Sequence, residues 1–314
     1  MTGDRPLVIQ TEDLDADAAA WLSERCELVR CGSDETGFDL LLAAAYGLVI
    51  RTYTEVDAAM LERAPSLSVV GRAGVGLDNV DLAACGARGV RVVHTPGANT
   101  AAVVEYVVAM MLDALRPRVF LDTPLGDLAA WQSLRNDLIA PRQLADLTMG
   151  VVGMGRIGSR VADVARSLGM LVVYTDLEPR GQGCGKQVPL RALCETADVI
   201  SVHVDGRPGN RHLLAMDAFG RMKSDVVFIN TSRGFVVEPV ACAEFMVEHP
   251  GACAMLDVHE REPIVPTSPL LEIANVHLSP HIAGATASAK RAMSWVVRDV
   301  WRVLDGEEPK HAAV

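Results

Sequence analysis

The sequence predicts an α/β protein built from two doubly wound domains, and three observations support this fold class. The chain has 314 residues, which is long for one hydrophobic core and typical of two domains of roughly 100–200 residues each. Half of its residues are hydrophobic but only 4% are aromatic, as expected where helices cover both faces of a sheet rich in small aliphatic side chains. Short apolar runs alternate with helical patterns in two separate series, which predicts two parallel sheets.

The first series occupies the N-terminal third of the chain. Its predicted strands are Leu7–Ile9, Glu27–Val29, Gly47–Ile50, Leu67–Val70 and Arg91–Val93. Its predicted helices are Asp15–Arg25, Val56–Arg63 and Asp81–Arg88. Asp81 stands just before an apolar-periodic stretch, so we expect it to be the N-cap of that helix.

The second series begins at Thr148, after a turn at Thr95–Thr100 and a long apolar helix at Ala101–Arg116. Its further predicted strands are Leu171–Asp176, Val199–His203, Val226–Asn230, Cys253–Asp257 and Val276–Ser279. An amphipathic pattern over Ala287–Leu304 predicts a final helix that packs back on the first domain. We therefore assign residues 1–96 and 286–314 to one domain and residues 97–285 to the other.

Charge and hydropathy exclude several classes of partner. The formal net charge is −11, which gives a nucleic-acid backbone no overall attraction. The first residues lack a basic flank followed by an apolar stretch, and the longest apolar run, Leu40–Ile50, is shorter than the ~20 residues that cross a bilayer. Seven cysteines lie scattered without a Cys-x-x-Cys pair. We expect a cytoplasmic protein with reduced thiols, no membrane partner and no metal.

A glycine-rich turn predicts dinucleotide binding. Gly153, Gly155 and Gly158 follow a predicted strand and open a helix that starts at Arg156 and Ile157. In this context the glycines let a pyrophosphate approach backbone N–H groups at the positive end of the helix dipole. Asp176 ends the next strand, where a carboxylate accepts hydrogen bonds from the adenosine ribose and repels a 2′-phosphate. This favours NAD(H) over NADP(H), although the nearby Arg180 leaves room for dual use.

Three short stretches near the C-terminus carry polar groups suited to carbonyl chemistry: Asn230–Gly234, Asp257–Pro263 and Ser279–Gly284. An arginine can bind a carboxylate and polarise the carbonyl beside it. A histidine beside a carboxylate can pass a proton near neutral pH. Together with the glycine turn, these stretches predict a site where a carbonyl group is reduced.

The ordered motifs resemble those of the D-isomer-specific 2-hydroxyacid dehydrogenases, the family of phosphoglycerate, glyoxylate/hydroxypyruvate and phosphite dehydrogenases. The resemblance runs from Arg51 through Arg72–Asp81, Thr95–Thr100 and Gly153–Gly158 to Gly284. It implies a Rossmann cofactor domain inserted in a flavodoxin-like substrate domain. It also implies an NAD-dependent enzyme that interconverts a 2-keto acid and a D-2-hydroxy acid as a homodimer, with the helix Ala101–Arg116 in the contact.

The resemblance also assigns roles to single residues. Arg233 would bind the substrate carboxylate and carbonyl, His281 would exchange the proton, and Glu262 would orient His281 and raise its pKa. Besides the residues of the glycine turn and Asp176, the implied cofactor contacts are His203, Thr231, Asp257 and Gly284. The implied substrate contacts are Arg51, Gly74, Val75, Gly76 and Asn99. For Arg51, a solvated strand end is an equally good interpretation.

Some residues depart from the pattern of the family. His203–Asn210 replaces the usual His-x-Pro-x-Thr segment, His94 stands where Asn is common, and His259 stands where an aromatic residue is common. We interpret His94 and His259 as hydrogen-bonded structural histidines. Two other functions stay open at this point: a phosphite- or phosphonate-type substrate on the same scaffold, and a dinucleotide-sensing binding protein like the family's corepressors.

Overall fold

The computed structural model describes residues 5–116, 118–180 and 185–314. The chain forms two compact units. The first unit consists of Met1–Thr100 and Ala285–Val314, and the second of Ala101–Gly284. The domain limits predicted from the sequence lie four residues from the first junction and one residue from the second.

The strands are short and all pair in parallel. In chain order they are β1 (Leu7–Gln10), β2 (Glu27–Arg30), β3 (Gly47–Ile50), β4 (Val69–Arg72), β5 (Arg91–His94), β6 (Thr148–Val152), β7 (Leu171–Thr175), β8 (Lys186–Gln187), β9 (Val199–Val202), β10 (Val227–Asn230), β11 (Cys253–Leu256) and β12 (Val276–Leu278). Most begin and end within two residues of the predicted bounds, because runs of buried Val, Ile and Leu mark strands that are covered on both faces.

Most of the α-helices fall between the strands, as a parallel sheet requires, and the last two follow the final strand. In chain order they are α1 (Ala16–Ser23), α2 (Phe38–Ala44), α3 (Ala58–Glu62), α4 (Leu82–Ala87), α5 (Thr100–Leu115), α6 (Leu128–Asp137), α7 (Arg156–Ser167), α8 (Leu190–Thr196), α9 (Met216–Phe219), α10 (Pro239–Glu248), α11 (Ala287–Ser294) and α12 (Val297–Leu304). The predicted N-cap of α4 is confirmed, since the Asp81 carboxylate accepts a hydrogen bond from the N–H of Ala84 at 2.9 Å.

In the first unit the strand order is β2-β1-β3-β4-β5. The chain runs outward from β1 to β2 and then returns to β3, so β1 and β3 flank a topological switch point. Side chains of α12 pack on this sheet closely: a Cβ atom at Gly71 of β4 would lie 2.3 Å from Cγ2 of Val300.

In the second unit the order is β12-β11-β10-β9-β6-β7-β8. The chain runs outward from β6 and then returns to β9, so the switch point lies between β6 and β9. In such sheets ligands bind beside the carboxyl ends of the strands at this point. The predicted fold class of two doubly wound α/β domains is confirmed.

The predicted final helix, Ala287–Leu304, is wrong in one respect, because it is divided into α11 and α12. At Trp295 and Val296 the backbone N–H groups bond to the carbonyls three residues back, which tightens the chain into a turn. The Ser294 hydroxyl at this point accepts a 2.9 Å hydrogen bond from the N–H of Asp15. The turn therefore allows α11 to contact the start of α1 while the buried valines of α12 cover the sheet.

None of the helices within the described ranges is long and apolar enough to cross a membrane. Six cysteines occur in these ranges, all of them free thiols, and Cys184 lies outside the residues described. Burial raises the pKa of the Cys242 thiol to about 12, so this side chain is a neutral part of the core.

Candidate active site

The glycine turn follows β6 at the switch point of the second unit. Gly153 has a φ of +92°, and a Cβ atom there would lie 2.7 Å from the carbonyl oxygen of His203. At Gly158 a Cβ atom would lie 2.0 Å from the oxygen of Gly153. These two glycines therefore close the turn tightly against β9 and against the first turn of α7.

Gly155 differs from these two glycines, because a Cβ atom there would meet none of the described residues within 4 Å. It is the N-cap of α7 and offers no side-chain cap to the N–H groups that begin at Arg156 and Ile157. Backbone donors at a helix N-terminus, with open space in front of them, suit a pyrophosphate. Thr231, which follows β10, adds a buried Oγ1 that has no hydrogen-bond partner among the described residues. The residues present therefore fit a dinucleotide.

Asp176 directly follows β7. Its carboxylate accepts a 2.7 Å hydrogen bond from the N–H of Met154, within the glycine turn, and lies 3.3 Å from Nη2 of Arg180. Burial acts to raise the pKa of Asp176, but these bonds and one from the N–H of Glu178 outweigh it and hold the pKa below its ordinary value. Asp176 is therefore ionised at neutral pH and is fixed beside the predicted cofactor turn.

His203 follows β9, and its Nε2 lies 2.8 Å from Oγ of Ser201. Burial lowers the pKa of His203 to about 3, so the ring is neutral at pH 7 and brings no positive charge to a phosphate. In the unusual loop that follows, Arg207 donates two hydrogen bonds to Asp205, at 2.7 and 2.5 Å. The loop that departs from the family pattern is thus closed by its own ion pair.

Arg233 stands in a loop that Asn230 shapes at the end of β10. Asn230 is 1% exposed, and its side-chain amide donates to the carbonyl oxygen of Arg233 at 3.0 Å while its Oδ1 accepts from the N–H of Ser232 at 3.0 Å. The guanidinium donates from Nη1 to the carbonyl oxygen of Ser232 at 2.7 Å. Side chain and backbone are therefore held together at the carboxyl edge of the sheet.

Glu262 and His281 form a hydrogen-bonded pair with 2.8 Å between Oε2 and Nδ1. The hydrogen bond that Nδ1–H of His281 donates to Glu262, together with the negative charge of that carboxylate, raises the pKa of His281 against the opposing effect of burial. Burial acts to raise the pKa of Glu262, yet the bonds from His281 and from the N–H of His259 lower it overall. Because Nδ1 bonds to Glu262, Nε2 is the nitrogen that can exchange a proton with a ligand.

Asp257 is fully buried at the end of β11. Its carboxylate accepts hydrogen bonds from the Ser279 hydroxyl at 2.6 Å and from the N–H groups of Ile282 and Ala283 at 2.9 and 2.8 Å. All three donors belong to the turn that carries His281 and ends at Gly284. Asp257 thus braces this turn, and its predicted contact to the nicotinamide stays a prediction.

The predicted substrate residues belong to the first unit. Arg51 follows β3, and its Nη1 donates to the carbonyl oxygen of Asp13 at 3.3 Å. Glu12, which no sequence motif selects, organises this loop. Its carboxylate accepts hydrogen bonds of 3.0–3.3 Å from four consecutive backbone N–H groups, those of residues 51–54.

The other predicted substrate residues follow β4 and β5. A Cβ atom at Gly74 would lie 1.2 Å from Nη1 of Arg72, so glycine is needed for that guanidinium to pass. The carbonyl oxygen of Val75 lies 3.0 Å from Nδ1 of His94, which supports the structural interpretation of this histidine. Gly76 is partly exposed. Asn99 holds a buried Oδ1 that accepts no hydrogen bond from the part of the chain that the structure describes.

Comparisons with known proteins place the chain in a family. Residues 108–283 match the family model "D-isomer specific 2-hydroxyacid dehydrogenase, NAD binding domain". The chain is 34% identical over 300 residues to an (S)-sulfolactate dehydrogenase of Chromohalobacter salexigens. The aligned residues make up 93% of this chain and 96% of that protein.

A D-3-phosphoglycerate dehydrogenase of Archaeoglobus fulgidus is 36% identical over 256 residues, but these are 80% of this chain and only 48% of that longer protein. The chain thus spans about half of that relative. Among solved structures, a D-lactate dehydrogenase from Aquifex aeolicus complexed with NAD and lactic acid superposes with a TM-score of 0.82, at 26% identity and 96% coverage of both chains.

Proposed function

Because the chain belongs to the D-isomer-specific 2-hydroxyacid dehydrogenase family, we propose that it reduces a 2-keto acid to the D-2-hydroxy acid with His281 as the proton donor. The predicted family, with its NAD-binding domain, is confirmed, and the enzymatic activity is part of this proposal. The observation that carries the proposed mechanism is the 2.8 Å pair between Glu262 and His281 at the carboxyl edge of the second sheet.

The protonation state of His281 determines whether the pair assists reduction or oxidation. Glu262 raises the pKa of His281, so the imidazolium persists to a higher pH than in an isolated histidine. During reduction its Nε2–H gives a proton to the oxygen that was the keto group, and the imidazolium becomes neutral imidazole. In the reverse direction the neutral ring accepts this proton from the hydroxyl group.

Arg233 complements His281 through its permanent charge. A guanidinium binds a carboxylate with two parallel hydrogen bonds and stabilises negative charge on an adjacent oxygen. NADH bound at the glycine turn supplies the hydride in this chemistry. Gly153 and Gly158 shape that turn and Gly155 leaves it open, while Thr231 supplies an unused buried oxygen.

Cofactor preference depends on Asp176 in this proposal. Its ionised carboxylate can accept hydrogen bonds from ribose hydroxyls, each contributing roughly 1.5–3 kcal/mol, and it repels a 2′-phosphate. We expect kcat/KM with NADH to exceed that with NADPH more than tenfold. Asp176→Ala reduces the difference in kcat/KM between NADH and NADPH, because it weakens NADH binding and releases Arg180 from its ion pair. Equal values for the two cofactors in the wild-type enzyme contradict this assignment.

The direct test of the proposed function is NADH oxidation with a panel of substrates. The panel contains pyruvate, 3-sulfopyruvate and 3-phosphohydroxypyruvate, because the relatives include dehydrogenases named for lactate, sulfolactate and phosphoglycerate. Preference for a compound with a distal anionic group supports Arg51 as a substrate contact. If the protein binds NADH but turns over no keto acid, the proposal fails in favour of a dinucleotide-sensing protein. If the protein turns over no keto acid but oxidises phosphite with the oxidised cofactor, this result favours the inorganic substrate.

The proposal includes a homodimer in the cytoplasm. Residues 118–140 support the dimer: no side chain of α6 is buried, and Phe120, Leu128 and Ile139 are 86%, 69% and 71% exposed. The resemblance placed the helix Ala101–Arg116, observed as α5, in the dimer contact. This helix directs Val103, Val107 and other apolar side chains into the core of its own unit. A monomeric mass by light scattering at micromolar concentration contradicts the dimer, and Phe120→Asp is expected to weaken it.

A further inference from the structure

His259 contacts each of the three segments that carry the proposed catalytic groups. Its backbone N–H donates a 3.0 Å hydrogen bond to Oε1 of Glu262. Its ring Nε2 lies 2.8 Å from the carbonyl oxygen of Ser279, two residues before His281. Its backbone also packs against Gly234, directly after Arg233, where a Cβ atom would lie 1.9 Å from the carbonyl carbon of His259.

The bond from the ring has a fixed direction, because a carbonyl oxygen only accepts. Nε2 of His259 therefore carries the hydrogen and donates it to Ser279. The same oxygen lies 3.1 Å from the N–H of His281. One acceptor thus joins the ring of His259 to the backbone of His281.

This junction lies where the backbone needs support. His281 has a φ of +54°, in the left-handed region that a residue with a side chain adopts only when its surroundings impose it. Asp257 imposes part of the conformation from one side, through its bonds to the N–H groups of Ile282 and Ala283. The His259 ring holds the other side, at the residues that enter the turn.

We propose that His259 is a positioning residue, whose ring aligns His281 with Glu262 by donating its Nε2–H to the Ser279 carbonyl. The inference rests on the proposed function only in its kinetic consequence, because the alignment itself is a property of the free protein. A phenylalanine ring at this position occupies a similar volume but has no hydrogen to donate. The histidine therefore adds a tether to this chain that a phenylalanine there lacks.

The consequence for His281 follows from the charges that face it. Glu262 raises its pKa through their hydrogen bond, Asp257 raises it through its charge, and Arg233 lowers it. Loss of the tether lengthens the contact with Glu262 and leaves Arg233 in place. The pKa of His281 then moves down, toward the ordinary value of a histidine.

Three variants isolate the donor. His259→Phe keeps a ring and removes the hydrogen-bond donor, whereas His259→Gln places an amide N–H close to the position of Nε2. His277→Phe is the matched control, because His277 is an exposed histidine of β12 in the segment that leads to His281. The pKa of His281 is measured by NMR titration of its ring resonances without substrate, with His281→Ala used to assign them.

We expect the pKa of His281 to fall in His259→Phe and to stay at the wild-type value in His259→Gln and His277→Phe. With a keto acid that is turned over, kcat for His259→Phe falls about tenfold, less than the ~100-fold cost of a full 1 Å misplacement, and its alkaline limb moves to lower pH. An unchanged pKa in His259→Phe overturns the proposal. So does an equal fall in the Phe and Gln variants, which indicates loss of packing.

Two further results keep the conclusions separate. If His259→Phe does not fold, His259→Asn replaces it, since its shorter amide does not reach Ser279, and the comparison with Gln is unchanged. If the wild-type protein reduces no keto acid while the pKa still falls in His259→Phe, the proposed function fails and the positioning role stands.

Discussion

The two units have the same kind of switch point but use it in opposite ways. In the second unit the switch point between β6 and β9 is lined by glycines, and a side chain at Gly155 would extend into open space. In the first unit the switch point between β1 and β3 is filled by the protein's own Glu12, whose carboxylate binds the four backbone N–H groups of residues 51–54. The crevice of the second unit leaves backbone N–H groups open to a ligand, whereas in the first unit these groups already bond to Glu12.

The difference shows how much of a binding site depends on topology and how much on single residues. Topology directs strand ends and loops to one edge of each sheet. Whether an anion binds the backbone there depends on a glycine in one case and a glutamate in the other. At the switch point of the first unit, therefore, the backbone N–H groups of residues 51–54 are already bonded to Glu12.

The largest effect that we expect comes from His281→Ala, at the edge of the second sheet. Loss of the proton donor lowers kcat by ~10²–10⁴-fold, as is typical for a general acid. Stability changes little, because the side chain of His281 is 45% exposed. Single-turnover kinetics with NADH and a keto acid measure the step, with His277→Ala as the control. Wild-type turnover under conditions where hydride transfer limits the rate contradicts the assignment.

The open crevice is tested by Gly155→Ala. Its φ of −76° suits alanine, so we expect the fold to be unaffected while the Kd for NADH rises on the order of tenfold, or ~1.4 kcal/mol. Gly158→Ala is the matched comparison, since its Cβ atom would lie 2.0 Å from a backbone oxygen and such overpacking costs roughly 1–3 kcal/mol of stability. NADH fluorescence and thermal unfolding separate the two, and normal NADH binding by Gly155→Ala argues against an open pyrophosphate site.

The next effect is a displacement of the pH profile. Reduction requires protonated His281, so kcat/KM for reduction is level at low pH and declines as the pH rises through the raised pKa of His281. Glu262→Gln removes the charge that raises this pKa, and the decline then begins at lower pH. For oxidation, which requires the neutral ring, the rate of the variant increases at lower pH than that of the wild type. Profiles that superimpose are incompatible with the proposed role of Glu262.

The smallest effect concerns the filled crevice. Glu12→Gln keeps one carbonyl acceptor for the loop but loses the negative charge, so we expect the free energy of unfolding to fall by about 1 kcal/mol. The Kd for NADH stays at the wild-type value, because the second unit carries the cofactor turn. Denaturant unfolding and NADH titration measure both quantities. A loss of NADH binding in this variant contradicts the conclusion that the two switch points have different roles.

Most of the fold follows from local patterns in the sequence. Strands such as β3 and β9 were predicted because four consecutive buried aliphatic or small residues mark a covered strand. Helix α2 was missed because its apolar residues run into those of β3, so that periodicity does not separate the two. The break between α11 and α12 was missed because a tertiary bond, from Asp15 to Ser294, determines it.

The candidate site divides in the same way. Roles for Arg233, Glu262 and His281 were predicted because each lies in a short motif that resembles one of the family's motifs. Glu12 was not predicted, since its partners are backbone groups 39 to 42 positions away and any nearby acid has the same appearance in a sequence. For His259 the sequence supported a structural role, but its partner Ser279 is 20 positions away and only the folded chain brings them together.

The first unit consists of two separate stretches, Met1–Thr100 and Ala285–Val314. This arrangement has a consequence for biosynthesis. A ribosome makes every residue of the second unit before it makes α12, whose Val297 and Val300 are fully buried with Val8 and Val69 of the first sheet. During translation the inserted unit can therefore complete its core while the earlier-made sheet still exposes one aliphatic face to water. The segment synthesised first is the last to be finished, and a chain interrupted before α12 is the form that chaperones would meet.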